Sequence, residues 1–579
     1  MNPERADLPL SADHAFARMH LDGPVAGTAP DTALAGVQIE RTMLQDYAPL
    51  DRSLEHLISQ LAWSQAGVAA FSVDRVPHAV TSGGNLSQAA ARLFYAHCAE
   101  TNPAGTLEIL ELGAGIGLFA RHFLDAFQDT CRSNGRDFYH RLMYHVTDAS
   151  ARMVEHWDAV GQFAEHRDRV RMAVTDATNP VPRESTHQLN HLRAIFCNYV
   201  FDALPTTVVR KSEKGIEELR IRTWLETDGI AAARRVGIEP SQFANQLASN
   251  AGTNVDALRV IAPYFDLETA FVACEANAPP YAAEALALLP DDGGVLLNHG
   301  ALACVERAVD LLASDGLLLI NDFGPAASSA LDPAFTFQRF GATSAIGVNF
   351  PLLERFCDAR SIEVHAPPGD DRRPLRTRLV HRGAFGDTLQ TLNREFSAEA
   401  HEKTSVPIEN ARRHLAAGRK DQALAEYRLG LQHSPADWLI VGEVAEFVGL
   451  HVLDVRAGLD LATRAVRLNP WYSPWLWNVL GDCLLWLQRY GDAHEAYLQA
   501  RRINPADART NLNLAATLAH QGQLGDALDR ISRGLAADGD GLFRDRLLQK
   551  QQQILSAFTG QTALLRDKSI RRAERLGNP

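Results

Sequence analysis

The sequence predicts an α/β domain with a parallel, helix-covered sheet, followed by an all-α domain built from repeats. Between residues 107 and 201, short apolar runs alternate with amphipathic helical segments, which is the pattern of a parallel sheet. Residues 405–540 are helical throughout, and Pro435, Pro470 and Pro505 recur every 35 residues. A chain of 579 residues also requires several domains, because single cores stop growing near ~250–300 residues.

The domain boundaries follow from changes in composition and periodicity. Residues 1–36 are rich in Ala, Pro, Gly and Asp, and we expect a disordered leader there. The first domain is predicted over 37–400, beginning with helical spacing over residues 40–63. Repeats are predicted over 405–540, followed by a capping helix and a basic tail over 541–579.

Four apolar runs within the first domain predict consecutive strands, and a fifth lies later in the chain. The four runs are LEILEL, MYHVTD, VRMAVTD and LRAIFCNYVF. The segments ARHFLDAFQDTCRSN and ARMVEHWDAVGQF, which lie between them, predict helices. The later segment ACVERAVDLLASDGLLLINDFG predicts another helix followed by a buried strand.

Charge and cysteine content limit the classes of function. A net charge of −13 argues against broad binding of nucleic acid, which requires a basic surface. The seven cysteines form no CxxC pair and no His/Cys group at metal spacing, which favours a reducing compartment without structural zinc. The N-terminus lacks the apolar core of a signal peptide, and no apolar run approaches the ~18–20 residues of a membrane span. We therefore expect a cytoplasmic protein without a nucleic-acid or membrane partner.

The repeated segment resembles the tetratricopeptide pattern. Small residues at fixed positions let paired helices approach, large ones fill the gap between them, and proline ends each unit. One unit matches at every key position: Trp477, Leu480, Gly481, Leu484, Tyr490, Ala493, Tyr497 and Ala500. Such an array typically forms a concave groove for a protein or peptide. A dimerisation or packing module is the alternative, so a homo-oligomer also stays open.

The glycine-rich stretch LELGAGIGLF predicts a ligand site after the first strand of the sheet. Gly113, Gly115 and Gly117 permit a tight turn and close approach of a ligand, and the following helix directs free N–H groups into the same space. A dinucleotide fingerprint would require glycine at Leu118, and no Walker lysine follows the glycines. The spacing therefore disfavours both a nicotinamide site and a P-loop.

Three acidic residues at successive strand ends indicate which ligand fits. The negative charge of Glu111 would repel a pyrophosphate but would attract a cationic amine. Asp148 ends the second strand, where a carboxylate can bridge two ribose hydroxyls, and Asp176 follows the third, where it can accept from an adenine amino group. Adenosine with an amino-acid head and no phosphate describes S-adenosylmethionine. Alternatively, Glu111 is an ordinary strand-end acid, Asp148 a helix N-cap and Asp176 a turn residue. Their common position at the ends of three successive strands favours ligand binding over these alternatives.

From about residue 70 to 385 the chain resembles the MidA-like class I methyltransferases, a family that includes the mitochondrial complex I assembly factor that methylates arginine. The resemblance lies in six segments found in the family's order: AVTSGGNLSQAAARLFYAHCAE, ILELGAGIGLFARHF, CNYVFDALPTTVVR, EELRIR, GLLLINDFG and RFGATSAIGVNFPLLERF. It implies a Rossmann-like domain, S-adenosylmethionine as cofactor, Asn198 beside the cofactor, and an acceptor site near Asp202.

The sequence departs from the family at three positions. The family signature Asn-Glu-x-x-Asp-Ala-Leu-Pro has Tyr199 in place of its glutamate, while Asn198 and Asp202 remain. The tyrosine of the late Asp-Tyr-Gly is Phe323, and the aspartate of the closing segment is Asn349. A tyrosine cannot orient a guanidinium bidentately, although it can stack on a flat group or simply pack.

These residues lead to two functional hypotheses. In the first, the chain is an S-adenosylmethionine-dependent methyltransferase in which Asp202 and Tyr199 contact a protein or peptide acceptor recruited by the repeats. The alternative for Asp202 is that it is only a cap or turn residue with no contact to the acceptor. In the second, a degenerate cofactor-binding domain accompanies an interaction scaffold. A nicotinamide oxidoreductase is disfavoured by the glycine spacing and by Glu111.

Overall fold

The computed structural model of the chain describes residues 17–18, 41–72, 79–180, 191–243, 254–274, 279–289, 294–325, 336–373, 375–539 and 541–576. Contacts between Cα atoms divide the described residues into two compact units after Lys403. Within the expected leader, Ala17–Arg18 forms a two-residue strand, and the other residues of 1–36 lie outside the described part.

The first unit contains the strands, in three sheets. Their bounds in chain order are β1 Ala17–Arg18, β2 Arg41–Pro49, β3 Leu107–Leu112, β4 Leu142–Asp148, β5 Val170–Val174, β6 Leu192–Asn198, β7 Thr207–Ser212, β8 Gly215–Glu226, β9 Phe265–Ala273, β10 Val295–Leu297, β11 Leu312–Phe323, β12 Thr336–Phe340, β13 Thr343–Ile346, β14 Glu363–His365 and β15 Leu375–His381.

The main sheet confirms the predicted Rossmann-like α/β domain. Its seven strands have the order β14–β15–β11–β6–β3–β4–β5. β3, β4, β5, β6 and β11 run parallel, and β15 is antiparallel to both β11 and β14. Because helices cover both faces, strands such as β11 are almost continuously buried. The carboxyl ends of the five parallel strands meet at one edge of the sheet, where such folds bind ligands.

Helices of the first unit pack on the sheet through apolar faces. The helix that follows the glycine turn places Phe119 and Phe123 against Phe196 of β6, with ring centroids 5.6 and 5.2 Å apart. The helices of this unit are Leu54–Ala66, Ala69–Ser72, Ala79–Ser82, Asn85–Thr101, Leu118–Ser133, Ala151–Val160, Thr227–Arg235, Val255–Ile261, Ala282–Leu288, His299–Leu311, Phe350–Asp358 and Asp387–Glu395.

The expectation of helical structure across residues 40–63 is wrong for its first part. Residues 41–49 form β2, which pairs antiparallel with β8 in a second, antiparallel sheet made of β10, β7, β8, β2 and β9. The guanidinium of Arg222 on β8 lies 4.1 Å from the ring centroid of Tyr47. Pairing with a distant strand therefore overrides the local spacing. The helix starts only at Leu54, where the hydroxyl of Ser53 caps its first turn.

The second unit is all-α, as predicted, and its helices form four consecutive pairs followed by one long helix. Close packing explains the small residues of the repeat pattern, because a Cβ added to Gly481 would lie 2.3 Å from the ring of Tyr497. Residues 447–452, in the repeat that matches the pattern least, form a π-helical segment. The helices are Ala398–Ala416, which begins before the boundary at Lys403, Lys420–His433, Trp438–Glu446, Val455–Leu468, Pro474–Trp486, Tyr490–Ile503, Ala508–His520, Leu524–Ala537 and Arg544–Leu576.

The last helix covers the exposed end of the array. Its buried Leu547 and Ile554 pack into the core that contains Ile531 of the preceding helix. The helix continues to Leu576, through most of the predicted basic tail. Among the helices that the structure describes, none has an apolar stretch of the length needed to cross a bilayer.

Candidate functional site

The glycine turn after β3 adopts a backbone conformation that favours glycine at three alternate positions. Gly113, Gly115 and Gly117 have φ angles of 63°, 54° and 71°, all in the left-handed region. The N–H of Ala114 donates to the carbonyl of Thr147 on β4 at 2.8 Å, which fixes the turn to the neighbouring strand. The spacing of the glycines is therefore a requirement of the backbone itself.

Side chains from distant segments surround this turn. A Cβ added to Gly115 would lie 3.1 Å from the ring of Phe71, and one added to Gly117 would lie 3.1 Å from Trp157. The Trp157 ring N–H also donates to the carbonyl oxygen of Gly115 at 3.0 Å. Sequence reasoning missed Phe71 and Trp157, because neither has a local pattern that connects it with the glycines.

Asp148 lies at the end of β4 and binds the glycine turn directly. Its Oδ2 accepts a hydrogen bond from the N–H of Gly115 at 2.9 Å, and its Oδ1 accepts one from the N–H of Ser150 at 2.9 Å. Burial raises the pKa of Asp148 to about 6, although these backbone bonds oppose the shift. Ser150, not Asp148, is the N-cap of the following helix, so the N-cap alternative is wrong. Each carboxylate oxygen keeps a further lone pair for a ligand hydroxyl.

Glu111 is buried at the end of β3, with only 1% of its surface exposed. The hydroxyl of Tyr144 donates to its Oε2 at 3.1 Å. Burial raises the pKa of Glu111 to about 8, and the nearby charge of Asp148 acts in the same direction. The ionised carboxylate is therefore disfavoured until a cation pairs with it. Tyr144 is a third residue that sequence reasoning missed.

Asp176 is exposed in a turn that follows β5. Its Oδ1 accepts from both the backbone N–H and the hydroxyl of Thr178, each at 2.8 Å. The N–H of Thr175 donates to the carbonyl of Asp148 at 2.9 Å, which keeps this turn beside the end of β4. Asp176 is thus at the expected edge of the sheet, but the turn already uses one of its oxygens.

Asn198 ends β6 with an unsatisfied amide. Its Oδ1 accepts from Nδ2 of Asn321 at 2.9 Å, and the hydroxyl of Thr377 in turn donates to Oδ1 of Asn321 at 2.8 Å. Asn198 is 7% exposed, and its Nδ2 has no hydrogen-bond partner among the described residues. A buried donor of this kind favours a site that supplies an acceptor.

Tyr199 has a strained backbone next to Asn198. Its φ angle is 56°, a value that is uncommon for a bulky residue and typical of functional sites. Its N–H donates to the carbonyl of Asn321 at 2.9 Å, and its ring meets the ring of Phe323 edge-on with 4.6 Å between centroids. Tyr199, which stands in place of the signature's glutamate, therefore packs against Phe323, which stands in place of the late tyrosine.

Asp202 shares its environment with Asp322, a residue to which the sequence assigned no role. Asp322 is 1% exposed, and its Oδ2 accepts from the N–H groups of Val200 and Phe201 at 3.1 and 2.8 Å. Burial raises the pKa of Asp202 to about 7. Burial, together with the charge of Asp202, also raises the pKa of Asp322. The end of the late strand GLLLINDFG is the sequence signal that could have identified Asp322.

The third departure from the family has a structural role. Asn349 is the N-cap of the helix Phe350–Asp358, where its Oδ1 accepts from the N–H of Leu352 at 3.2 Å. Its Nδ2 donates to the carbonyl of Leu296 at 2.8 Å. An ionised aspartate could not make the second bond, because it has no donor.

The site therefore has two sides at one edge of the sheet. On one side, carboxylates at the ends of β3 and β4 adjoin the glycine turn. On the other side, residues 198–203 carry an amide, an aromatic ring and a carboxyl group, and Val200 contacts the turn itself. Such an arrangement suits a bound adenosyl amino acid with an acceptor next to it.

Comparison with known families identifies a match within the first unit. Residues 90–345 match the family model described as "Putative S-adenosyl-L-methionine-dependent methyltransferase". The first unit thus contains a methyltransferase-like domain, and the cofactor of that class is S-adenosylmethionine. A search among curated proteins found no match to the chain.

Among solved structures, the two parts of the chain resemble different proteins. A candidate methyl transferase from Burkholderia thailandensis, bound to S-adenosyl-homocysteine, is 15% identical, covers 59% of this chain and 90% of its own, and has a TM-score of 0.39. MamA is 16% identical over 27% of this chain and 92% of its own, with a TM-score of 0.22. YrrB, a TPR protein with an unusual peptide-binding site, is 18% identical over 27% and 88%, with a TM-score of 0.22. At these TM-scores no residue role or ligand follows from the likeness.

Proposed function

We propose that the chain is an S-adenosylmethionine-dependent methyltransferase that acts on a protein or peptide acceptor recruited by its helical repeats. The observation that carries the proposal is the junction of Asp148 with the glycine turn. Asp148 binds the N–H of Gly115, while Glu111 ends the adjacent strand with a buried carboxyl group. Two carboxylates beside a left-handed glycine turn suit a ligand that has hydroxyls and a cationic amine but no phosphate.

The residues on the cofactor side would each meet a different part of the ligand. Glu111 would pair with the cationic amine, because a positive charge offsets the cost of ionising a buried carboxyl group. Asp148 would accept hydrogen bonds from the ribose hydroxyls, and Asp176 would accept from the adenine amino group through the oxygen that the turn leaves available. The free donor of Asn198 would bind an acceptor atom of the ligand.

The residues on the other side would orient the acceptor. Bound S-adenosylmethionine supplies an electrophilic methyl group on its sulfonium. Asp202 has a pKa near neutrality, so it can hold or receive the acceptor's proton at physiological pH. Tyr199 offers a ring face and one hydroxyl in place of the carboxylate that a guanidinium would need. This chemistry favours a neutral acceptor, or a flat group held by stacking, over arginine.

The repeats would recruit the acceptor. Their four helix pairs keep the small and large residues of the tetratricopeptide pattern in packed positions. Large apolar side chains remain exposed on this unit, including Trp486 at 61% and Leu453 at 56%. A protein or peptide partner would bury such side chains on binding.

Isothermal titration of the full chain with S-adenosylmethionine, S-adenosylhomocysteine and NAD tests the cofactor assignment. We expect binding of the first two ligands, no binding of NAD, and loss of binding in Asp148→Ala. Asp158→Ala, a change at an exposed position on the helix Ala151–Val160, is the matched control and should bind normally. Binding of NAD alone would refute the proposal. Cofactor binding without methyl transfer to any tested protein would favour the scaffold hypothesis.

A further inference from the structure

We propose that Asp322 is a positioning residue that couples the loop Tyr199–Ala203 to the glycine turn. One buried carboxyl group on β11 would thereby set both sides of the site, the side that holds the cofactor and the side that meets the acceptor. The inference rests on the proposed function for its biochemical meaning, but the mechanical coupling can be measured without any ligand.

Two consecutive residues of β11 hold the loop. The carbonyl of Asn321 accepts from the N–H of Tyr199 at 2.9 Å. Oδ2 of Asp322 accepts from the N–H groups of Val200 and Phe201 at 3.1 and 2.8 Å. Because Asp322 is 1% exposed, water does not compete effectively for these bonds. The bonds to Val200 and Phe201 involve the side chain of Asp322, so a substitution of Asp322 removes them, whereas the bond to Tyr199 is made by the backbone of Asn321.

The loop needs such a support because its backbone is strained. Tyr199 has a φ angle of 56°, a conformation that a bulky residue keeps only when its surroundings impose it. The ring of Phe323 contacts the Tyr199 ring but does not restrain the next two peptide groups. Asp322 binds those two peptide groups, through the N–H of Val200 and the N–H of Phe201. Without its carboxylate, the chain after Tyr199 is free to relax toward an ordinary conformation.

The same loop contacts the glycine turn through one side chain. A Cβ placed on Gly113 would lie 2.8 Å from Cγ2 of Val200, so the Val200 side chain fills the space that a larger residue at Gly113 would need. Val200 is 7% exposed and packs within the core below the sheet edge. A movement of Val200 therefore removes the support on one side of the turn that carries Gly115, the residue bound to Asp148.

Hydrogen exchange of the full chain tests the coupling. The variant Asp322→Ala removes the two loop bonds, and we expect exchange to accelerate about tenfold or more at Val200 and Phe201 and also across residues 113–117. The affinity for S-adenosylmethionine should fall about tenfold, which corresponds to the loss of a preorganised turn. Exchange in β4 should not change. Faster exchange in the loop alone, with the turn and the affinity unaltered, would overturn the proposal.

Three further variants make the test specific. Asp322→Asn keeps an oxygen that can accept from both loop N–H groups but loses the acceptor for the N–H of Phe323, so it should restore loop protection and part of the affinity. Val200→Ala leaves the bonds of Asp322 in place and removes the methyl groups that face Gly113. It should accelerate exchange in the turn more than at Phe201, and it decides the question if Asp322→Ala does not fold. Asp310→Ala, at a side chain 70% exposed, should behave as wild type.

The two proposals fail in different ways. If wild type does not bind S-adenosylmethionine, the proposed function is lost, whereas the exchange of residues 113–117 still decides the coupling. If wild type binds the cofactor but Val200→Ala and Asp322→Ala leave the turn unchanged, the coupling is wrong and the proposed function stands.

Discussion

The carboxylate of Asp148 accepts a hydrogen bond of 2.9 Å from the backbone N–H of Gly115, which precedes it by 33 positions in the chain. The bond links the end of β4 to the middle of the glycine turn after β3. A single carboxyl group therefore both orders the turn and lies at the sheet edge where a ligand would bind. Because the proposed role in cofactor binding adds to this structural role, a change of Asp148 should affect the turn and the ligand together.

Removal of this carboxylate should strongly weaken cofactor binding without unfolding the domain. We expect Asp148→Ala to weaken S-adenosylmethionine binding about a hundredfold, because it removes a charge-assisted acceptor as well as the bond to Gly115. Gly115→Arg should have a similar effect, because its left-handed backbone and the nearby ring of Phe71 leave no room for a side chain. Calorimetric titration measures the affinity and circular dichroism the fold. Unchanged affinity in both folded variants would contradict the cofactor assignment.

Glu111 should make the stability of the first unit depend on pH. Its pKa is raised from 4.5 to about 8 in the folded chain, so the folded state binds more protons than the unfolded state between these values. Stability contributed by the protonated form is therefore lost as pH rises toward about 8. Glu111→Gln cannot ionise and should be more stable than wild type above pH 8, on the order of 5 kcal/mol. Thermal unfolding at pH 4 and pH 8.5 measures the difference, which should nearly vanish at the lower pH, where the carboxyl group is protonated in both states.

The same carboxyl group should make cofactor binding depend on pH. A cationic amine pairs with ionised Glu111, so binding should release a proton below pH 8, and the affinity should increase as pH rises toward that value. Titration in two buffers with different ionisation enthalpies measures the proton release. Glu111→Gln should bind more weakly and release fewer protons. An equal proton release by wild type and variant would exclude Glu111 as the partner of the amine.

Tyr199 should make the enzyme inefficient with arginine in generic protein substrates. Asp202 is the one carboxyl group that remains from the signature, and Tyr199 cannot pair bidentately with a guanidinium as the signature's glutamate could. Tyr199→Glu should not simply raise activity, because the tyrosine ring packs on Phe323 and the position has a φ angle of 56°. Mass spectrometry of methylated products tests this. Protein-bound dimethylarginine that disappears in Asp202→Ala would show the prediction to be wrong.

A chain that ends at Lys403 should retain the cofactor site and lose partner recruitment. The contacts divide the chain after this residue, and the glycine turn and its surrounding residues all belong to the first unit. We expect the shortened chain to be soluble and to bind S-adenosylmethionine within about threefold of the full chain. A pull-down should show loss of the protein or peptide partner. If the shortened chain keeps every partner, the repeats do not recruit the acceptor.

Two glycines of one repeat should respond oppositely to the same substitution. A Cβ on Gly481 would lie 2.3 Å from the Tyr497 ring, so Gly481→Ala should destabilise the second unit by about 1–3 kcal/mol through overpacking. A Cβ on Gly491 would meet no atom within 4 Å, so Gly491→Ala should be neutral or stabilise by up to about 1 kcal/mol. Chemical denaturation of the full chain, followed through the unfolding of residues 404–579, measures the stability change in both variants. Equal effects would mean that close helix packing does not explain the repeat pattern.

Local pattern predicted more of the fold than of the site. The strands β3, β4, β5 and β6 were all expected from apolar runs, and the repeats from their 35-residue period. Strand β2 was not expected, because its partner β8 pairs with it from about 180 positions away, starting with Arg41 opposite Glu226. Asp176 was expected as a ligand group, whereas the structure also uses it in a turn with Thr178.

The sequence by itself determined the order of the elements and the residue types at the strand ends, including Glu111, Asp148 and Asn198. These features depend on side-chain periodicity and on the conformational freedom of glycine, which neighbouring residues control. The tertiary structure alone decided which groups meet. It placed Asp322 beneath the loop of Val200, 122 positions away, and thereby gave a role to a residue that had none in the sequence. The physical reason is that hydrogen bonds and burial act over a few ångströms in space, and only the folded sheet brings the ends of β3, β4, β6 and β11 within that range.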